Sequence, residues 1–347
     1  MSTIERISLY DVLGPYKFYD FLLDEINKYT LEDSDSELVI DFCQLESISP
    51  LVIPNFLNLG YLLQQGDKLP TQLFIPWRPD FIKYLSNIKF IELTRKFHLY
   101  RLDDRYLGGL PNEDKIHERY KTLFIDENLI FSQLFSNHIA DISEILKDII
   151  ADEYAFLNIT DNIEELLENA SKHRKTGLCF ATFQANKKQK TFKYSISDSG
   201  IGYYESFKGK IRSGFQLKIH DTKKFLELEE NNHPLKNFFA IIEAVFWRKK
   251  IFKDDKEYEY GIYDVVKSIT NESGIVRIHS GDIQVIFTEK NFSSYFDKDL
   301  SSKDIIKKLE IDFISKYRIY NKIYSPIRKN SYDFRGVHIE IELPILS

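Results

Sequence analysis

The chain of 347 residues has only two cysteines, Cys43 and Cys179, and each lies in an apolar stretch where cysteine is usually a small buried side chain. A disulfide framework and a zinc site are therefore unsupported. No apolar run approaches the roughly 18 residues that a membrane span needs. The N-terminus lacks both the apolar core and the small-residue cleavage site of a signal peptide. We therefore expect a soluble, cytoplasmic protein without a membrane partner.

An excess of charge of one sign is also absent. The formal net charge is -6 at pH 7, and the basic runs at 187–190 and 248–250 are short, so no nucleic-acid partner is expected. A hydrophobic content of 43% with 29% charged residues is typical of a globular chain. At this length two domains are the better expectation, and there is no internal repeat or low-complexity segment.

The first part of the chain alternates strands and helices, which predicts a small α/β domain over residues 1–110. "SELVIDFCQL" reads as a buried strand, and "SPLVIPNFLNLGYLLQQGDKL" as a helix with Pro54 near its start and Gly66 at its end. "TQLFIPW", a short helix and the strand "HLYRL" follow. Turn residues at 103–114 predict the linker to a second domain over 111–347.

The second part starts with helical patterns. "TDNIEELLENASKH" predicts a helix that Asp161 and Glu164 would open as a capping box. Two strands follow, "GLCFATFQAN" and "KTFKYSISDSG", and then a helix-rich stretch. The rest reads as the helix "GIYDVVKSITNESG", the separate strands "IVRIHSGD" and "IQVIFTE", a polar insertion at about 290–332, and the strand "GVHIEIELP".

The helix "IEELLENASKH" has a polar side that suits nucleotide chemistry. Glu165 and Asn169 lie one turn apart on it. The amide oxygen of Asn169 is a suitable ligand for Mg²⁺, and Glu165 could activate a water molecule as a general base. Lys172 and His173 could contact phosphate or could form a solvated helix end.

A second motif follows the two strands. Asp198, Gly200 and Gly202 form a D-x-G-x-G turn, in which glycines allow positive φ and close approach of the backbone to a ligand. The aspartate can accept a hydrogen bond from an exocyclic amine. Alone the turn is weak evidence, because D-x-G-x-G is found in many loops.

These motifs, with "YGIYDVVKSI" and the closing "RGVHIEIELP", resemble the GHKL ATPases over roughly residues 125–347. This family includes gyrase, Hsp90-type chaperones, histidine kinases and MutL. The resemblance implies a Bergerat-fold α/β sandwich, a mixed sheet with helices on one face. The stretch "VIDFCQLESISPLVIPNFLNLGYLLQQGDKL" resembles the STAS fold of anti-sigma-factor antagonists. The whole chain is similar in organisation to bacterial proteins in which a GHKL-type domain follows a STAS-like domain.

The GHKL resemblance implies a role for each matching residue. Asn169 would bind Mg²⁺ and Glu165 would act as base, while Asp198 would bind the adenine amino group. Gly200 and Gly202 would shape the adenine pocket and start a lid at about 203–260. Gly261 would lead a helix whose N-terminus faces the phosphates. Two departures stand out, because the second glycine box keeps only Gly261, and Val337 follows Gly336 where the family often has threonine.

Three functions remain open. We favour a Mg-ATP-binding regulatory protein, a slow ATPase whose lid movement controls the binding of a protein partner, which could be a STAS-like or other regulatory protein. The alternatives are a serine kinase of the anti-sigma-factor type and a non-catalytic interaction protein with a decayed site. A histidine kinase is disfavoured, because His138 lacks the flanking residues of a phosphoacceptor box. Whether the chain forms a homodimer is left open.

Overall fold

The computed structural model arranges the chain in two sheets with helices around them. It describes residues 4–31, 36–65, 70–102, 120–125, 133–147, 150, 153–173, 177–186, 190–247, 261–296, 300–319 and 325–344. One sheet has four parallel strands, and the other has five antiparallel strands. The predicted α/β class is therefore confirmed. Among the helices of these residues, none combines the length and hydrophobicity that a membrane crossing requires.

The first unit, residues 4–102, is the parallel sheet in the order β1-β2-β3-β4. Its elements are β1 (Ile4–Leu13), α1 (Pro15–Lys17), a π-helical turn (Phe18–Leu22), α2 (Leu23–Leu31), β2 (Glu37–Ile48), α3 (Ile53–Gln64), β3 (Gln72–Phe74), α4 (Pro79–Asn87), α5 (Phe90–Lys96) and β4 (Arg101–Leu102). The strands and helices expected here are present, with Pro54 in the first turn of α3, where a proline breaks no hydrogen bond.

Strand β1 was not predicted. Only three of its ten residues are buried, and it lies at the edge of the sheet beside β2. The expected linker at 103–114, with the domain boundary inside it, and Gly66 lie outside the described residues.

The second unit, residues 120–344, contains the antiparallel sheet in the order β5-β6-β7-β9-β8. Its elements are β5 (Tyr120–Phe124), α6 (Gln133–Lys147), α7 (Glu153–His173), β6 (Cys179–Asn186), β7 (Thr191–Asp198), α8 (Tyr203–Arg212), α9 (Thr222–Glu230), α10 (Lys236–Phe246), α11 (Ile262–Asn271), β8 (Ile275–Thr288), α12 (Glu289–Phe292), a 3₁₀ turn (Ser293–Tyr295), α13 (Ser302–Leu309), a π-helical turn (Glu310–Ile314), α14 (Ser315–Ile319) and β9 (Ile327–Pro344). All of its described pairings are antiparallel, whereas a mixed sheet was expected.

Three local predictions for this unit are wrong. Helix α7 begins at Glu153, so Asp161 and Glu164 lie inside it and form no capping box; helical apolar spacing continues upstream through Phe156 and Ile159. The two strands expected around Gly281 are one strand, β8, because the chain absorbs the glycine as a register shift with φ of 67°. The polar insertion is shorter than expected, since β9 already begins at Ile327.

Both faces of the five-stranded sheet are buried, and they differ in polarity. The apolar face shares one core with α6, α7, α10 and α11. The opposite face carries the buried polar residues Ser195, Ser197, His279, His338 and Glu340. It is covered by α2 and α3 of the first unit, which pack against β9 and against β6, β7 and β9 respectively. Helices therefore cover both faces, where a single helical layer was expected.

Hydrogen bonds and ring contacts hold the first unit on this polar face. Asn55 on α3 donates from Nδ2 to Oε1 of Glu340 at 2.8 Å. The ring of Tyr19 stacks on His279 with centroids 4.7 Å apart, and Phe18 meets Phe334 edge-on. Since polar groups need matched partners when water is removed, the hydrogen bonds define one docking geometry for the two units.

Replacing Glu340 with glutamine is expected to remove a pH dependence of stability. Burial raises the pKa of Glu340 from 4.5 to about 7. The positive charge of Arg277 and the hydrogen bonds from Tyr19 and Asn55 lower this pKa, but burial outweighs them. A glutamate with a raised folded pKa contributes stability that is fully present below pH 4.5 and is lost as the pH rises through 7. The charged form therefore costs up to about 3 kcal/mol above pH 7, and glutamine avoids this cost.

Urea unfolding of both proteins at pH 5 and pH 8 measures the effect. The difference in the free energy of unfolding, glutamine variant minus wild type, should be larger at pH 8 than at pH 5. Burial also lowers the pKa of His338, to about 3, but that histidine is common to both proteins and cancels in the difference. A difference independent of pH would contradict the prediction.

Candidate functional site

Helix α7 presents the two predicted site residues that lie one turn apart. Its apolar residues Ile163, Leu166 and Leu167 are buried in the core, whereas Glu165 and Asn169 are half-buried. The Nδ2 atom of Asn169 donates to Oε1 of Glu165 at 2.7 Å. Because a carboxylate can only accept, the amide must turn its nitrogen towards Glu165, and its oxygen Oδ1 then points away. The pair is thus oriented so that an oxygen of each side chain can serve a ligand.

Helix α11 packs against α7 and adds a carboxylate that the sequence reasoning missed. Gly261 is the buried N-cap residue of α11, and Asp264 lies in its first turn. Burial raises the pKa of Asp264 despite the backbone hydrogen bond from Gly261, and the charge of Glu165 raises it further. Asp264 and Glu165 are therefore electrostatic neighbours. The sequence signal that could have identified Asp264 as a site residue was its position three residues after Gly261.

The D-x-G-x-G turn connects β7 to α8. Asp198 is the last residue of β7, and its Oδ1 accepts a hydrogen bond from the Gly200 amide at 2.8 Å. Neither Gly200 nor Gly202 has a positive φ. A Cβ on Gly202 would lie 2.6 Å from Oγ of Ser280 on β8, so any larger residue here would have to displace that hydroxyl. The Ser280 hydroxyl also accepts from the Tyr203 amide at 3.0 Å and ties the start of α8 to β8.

Gly336 of β9 and Tyr203 of α8 complete the surroundings of Asp198. Gly336 has φ of 106°, and a Cβ there would lie 1.9 Å from the Asp198 carbonyl oxygen. Burial raises the pKa of Tyr203, and the charge of Asp198 raises it further, so the phenol lies near this carboxylate. Val337 is half-buried and packs against the main core. Tyr203 was not predicted as a site residue, although it directly follows Gly202 in the sequence.

Strand register places these segments at one end of the sheet. Cys179, the first residue of β6, pairs with Asp198, and α7 ends shortly before it at His173. Helix α11 runs towards the other end, because Ile275, which follows it, pairs there with Glu342. The N-terminus of α11 is therefore directed towards the Asp198 end. Asn169 in the last part of α7, the β7–α8 turn and the start of α11 surround this end.

Other predicted features are placed only in part. Lys172 and His173 lie in the last turn of α7, but their side chains are outside the described residues, as is 248–260 of the expected lid. Within the described part of that segment, α10 packs against β8 and belongs to the main core. A lid movement there would therefore have to involve the residues before α10. His138 is fully buried on α6, where its ring packs against Phe183, in agreement with a helix-face histidine.

The oxygen donors at this end of the sheet fit a magnesium ion better than a softer metal. Asn169 offers an amide oxygen, and the carboxylates of Glu165 and Asp264 are close enough to interact electrostatically. In the described part of the chain, no group of three or more histidine, cysteine, aspartate or glutamate residues is arranged to hold a metal by itself. Mg²⁺ that arrives with a nucleotide needs few protein ligands, because phosphate and water complete its octahedron.

The chain was compared with protein-family models, with curated proteins and with solved structures. No family model, curated protein or solved structure matches it.

Proposed function

We propose that the chain is a Mg-ATP-binding regulatory protein with a GHKL-type, Bergerat-like second unit, and that it hydrolyses ATP slowly. One observation carries the proposal: the hydrogen-bonded pair Glu165–Asn169 and the turn at Asp198 lie towards one end of one sheet. Asn169 would hold Mg²⁺ through Oδ1, Asp198 would accept the adenine amino group, and Glu165 would orient the attacking water. Bound ATP would supply the γ-phosphate, and its phosphate oxygens together with water would provide most of the metal's ligands.

The first unit has a parallel sheet and a buried helix α3, which support the proposal of a STAS-like docking module. Residues 53–60 of α3 are all buried, and α3 packs on β6, β7 and β9. A docking surface of this unit is thus occupied by the second unit of the same chain. We propose that partner binding responds to nucleotide through this arrangement, with movement in residues 203–230 of the lid.

One observation favours the non-catalytic alternative. The Gly261 amide at the start of α11 bonds the Asp264 side chain, so this donor is engaged within the protein. The carboxylate also places negative charge at a helix N-terminus that otherwise attracts phosphate. Weak triphosphate binding would leave a non-catalytic interaction protein with a decayed nucleotide site.

Incubation of the purified protein with γ-labelled ATP and Mg²⁺, with and without cell extract, tests the proposal. Filter binding, released phosphate and labelled protein bands are measured together. Retained ATP with slow release of free phosphate is the expected result. Retention without release supports the non-catalytic alternative, and a labelled band in the extract supports a kinase. Failure of the protein to retain ATP would refute a nucleotide site.

Replacing Glu165 with glutamine is expected to preserve ATP binding and to lower hydrolysis by about 100-fold. The glutamine oxygen can still accept the Asn169 hydrogen bond, so the local geometry is preserved while the base is lost. Glu168→Gln is the matched control, because it makes the same change on the same helix and should leave hydrolysis near the wild-type rate. Equal rates for wild type and the Glu165 variant, measured by phosphate release under saturating ATP, would exclude Glu165 as the base.

A further inference from the structure

Helix α3 contacts the sheet directly beneath the proposed adenine-binding turn. Asn58 of α3 is fully buried and donates from Nδ2 to the Ser197 carbonyl oxygen at 2.6 Å and to Ser197 Oγ at 2.9 Å. Ser197 immediately precedes Asp198 on β7. The carbonyl that Asn58 contacts belongs to the peptide group linking these two residues. The side-chain amide of Asn58 therefore restrains the orientation of the peptide plane that leads into Asp198.

The hydrogen bonds continue into β9. Ser197 Oγ lies 2.6 Å from Nδ1 of His338, and Nε2 of that ring lies 3.4 Å from the Phe334 carbonyl oxygen. Burial keeps His338 neutral by lowering its pKa. A neutral ring with its proton on Nε2 donates to Phe334 and accepts from Ser197, whose hydroxyl then accepts from Asn58. The chain of donors and acceptors is consistent from the first unit to β9.

The position of Asn58 on α3 is itself restrained. A Cβ at Gly60 would lie 2.6 Å from Cε2 of Tyr100, so α3 approaches this ring closely. The Tyr100 hydroxyl donates to the Phe56 carbonyl oxygen at 2.7 Å. Asp198 is thus held from two sides, by Asn58 through Ser197 and by Gly336 against its carbonyl.

We propose that Asn58 is a positioning residue for Asp198, through which the first unit controls how well the second unit distinguishes adenine from other purines. The inference rests on the proposed function, since it assigns a role at the same site. Asn58 contacts no ligand; it acts by holding the Ser197–Asp198 peptide group. Separation of α3 from the sheet would then weaken adenine recognition.

The test compares the dissociation constants of ATP and ITP with Mg²⁺ for wild type, Asn58→Ala and Asn55→Ala. Inosine carries an oxo group where adenine has the amine that Asp198 would accept, so wild type should prefer ATP. We expect Asn58→Ala to weaken ATP binding about 10-fold and ITP binding much less, so that the preference for ATP over ITP becomes smaller. Asn55→Ala is the matched control, since it removes a bond from the same helix to Glu340 and should preserve the preference.

Circular dichroism and thermal unfolding verify that each variant is folded at the assay temperature. Asn58→Leu keeps the approximate side-chain volume and removes the donor to the Ser197 carbonyl oxygen, and it should reduce the preference for ATP over ITP in the same direction if Asn58→Ala does not fold. An ATP-to-ITP preference that is unchanged in the folded variants, or equally reduced in Asn55→Ala, overturns the inference while the proposed function stands. Absence of ATP binding by wild type refutes the proposed function itself.

Discussion

Asp198→Asn is expected to lower the affinity for ATP by at least about 100-fold. The substitution preserves size, and the asparagine oxygen can still accept the Gly200 amide, so the turn should retain its conformation. What it removes is the carboxylate that would accept the adenine amine. A charge-assisted hydrogen bond is lost, and an amide group that can face the amine with its own donors replaces it.

Titration calorimetry with ATP and Mg²⁺ measures this change, and unfolding in urea monitors the fold. Asp221→Asn is the matched control, because Asp221 caps α9 through the Lys224 amide and asparagine caps helices equally well. The control should bind ATP as wild type does. If Asp198→Asn also binds ATP like wild type, the assignment of the adenine site to this turn is wrong.

Gly336→Ala is expected to destabilise the fold by about 3 kcal/mol or more, and to disturb the same site from the opposite side. The backbone at Gly336 has φ of 106°, a conformation that L-residues rarely adopt, and the added Cβ would lie 1.9 Å from the Asp198 carbonyl oxygen. Both atoms belong to strands in the middle of the sheet, so a backbone shift would break pairing between β7 and β9. Such a loss is a large share of the stability of an ordinary domain.

Gly209→Ala makes the same chemical change but is expected to raise the free energy of unfolding. Gly209 lies inside α8, and its Cβ would meet nothing within 4 Å. Alanine there should stabilise the protein by about 0.5–1 kcal/mol, because it is the better helix former. Urea unfolding of the two variants and wild type is the measurement. A Gly336→Ala protein as stable as wild type would mean that β9 does not approach Asp198 as described.

Local patterns predicted the succession of elements well. The apolar run of β2, the early proline of α3 and the strands β6 and β7 depend on residues close together in the chain. The one-turn spacing of Glu165 and Asn169 and the turn at Asp198 are equally local, so the sequence determined which side chains each element carries. Where neighbouring residues continued the same pattern, the boundaries were wrong, as at the start of α7 and at Gly281 in β8.

Only the tertiary structure decided what surrounds these side chains. The bond from Asn58 to Ser197 joins residues 139 positions apart, and the bond from Asn55 to Glu340 joins residues 285 apart. The hydrophobic periodicity of α3, or of the strands it contacts, does not predict which face of the sheet the helix will cover. Likewise the sequence by itself predicted that Gly336 begins a strand, whereas the residue lies inside β9 and its need for glycine arises from contact with Asp198, because steric exclusion depends on which backbones the fold brings together.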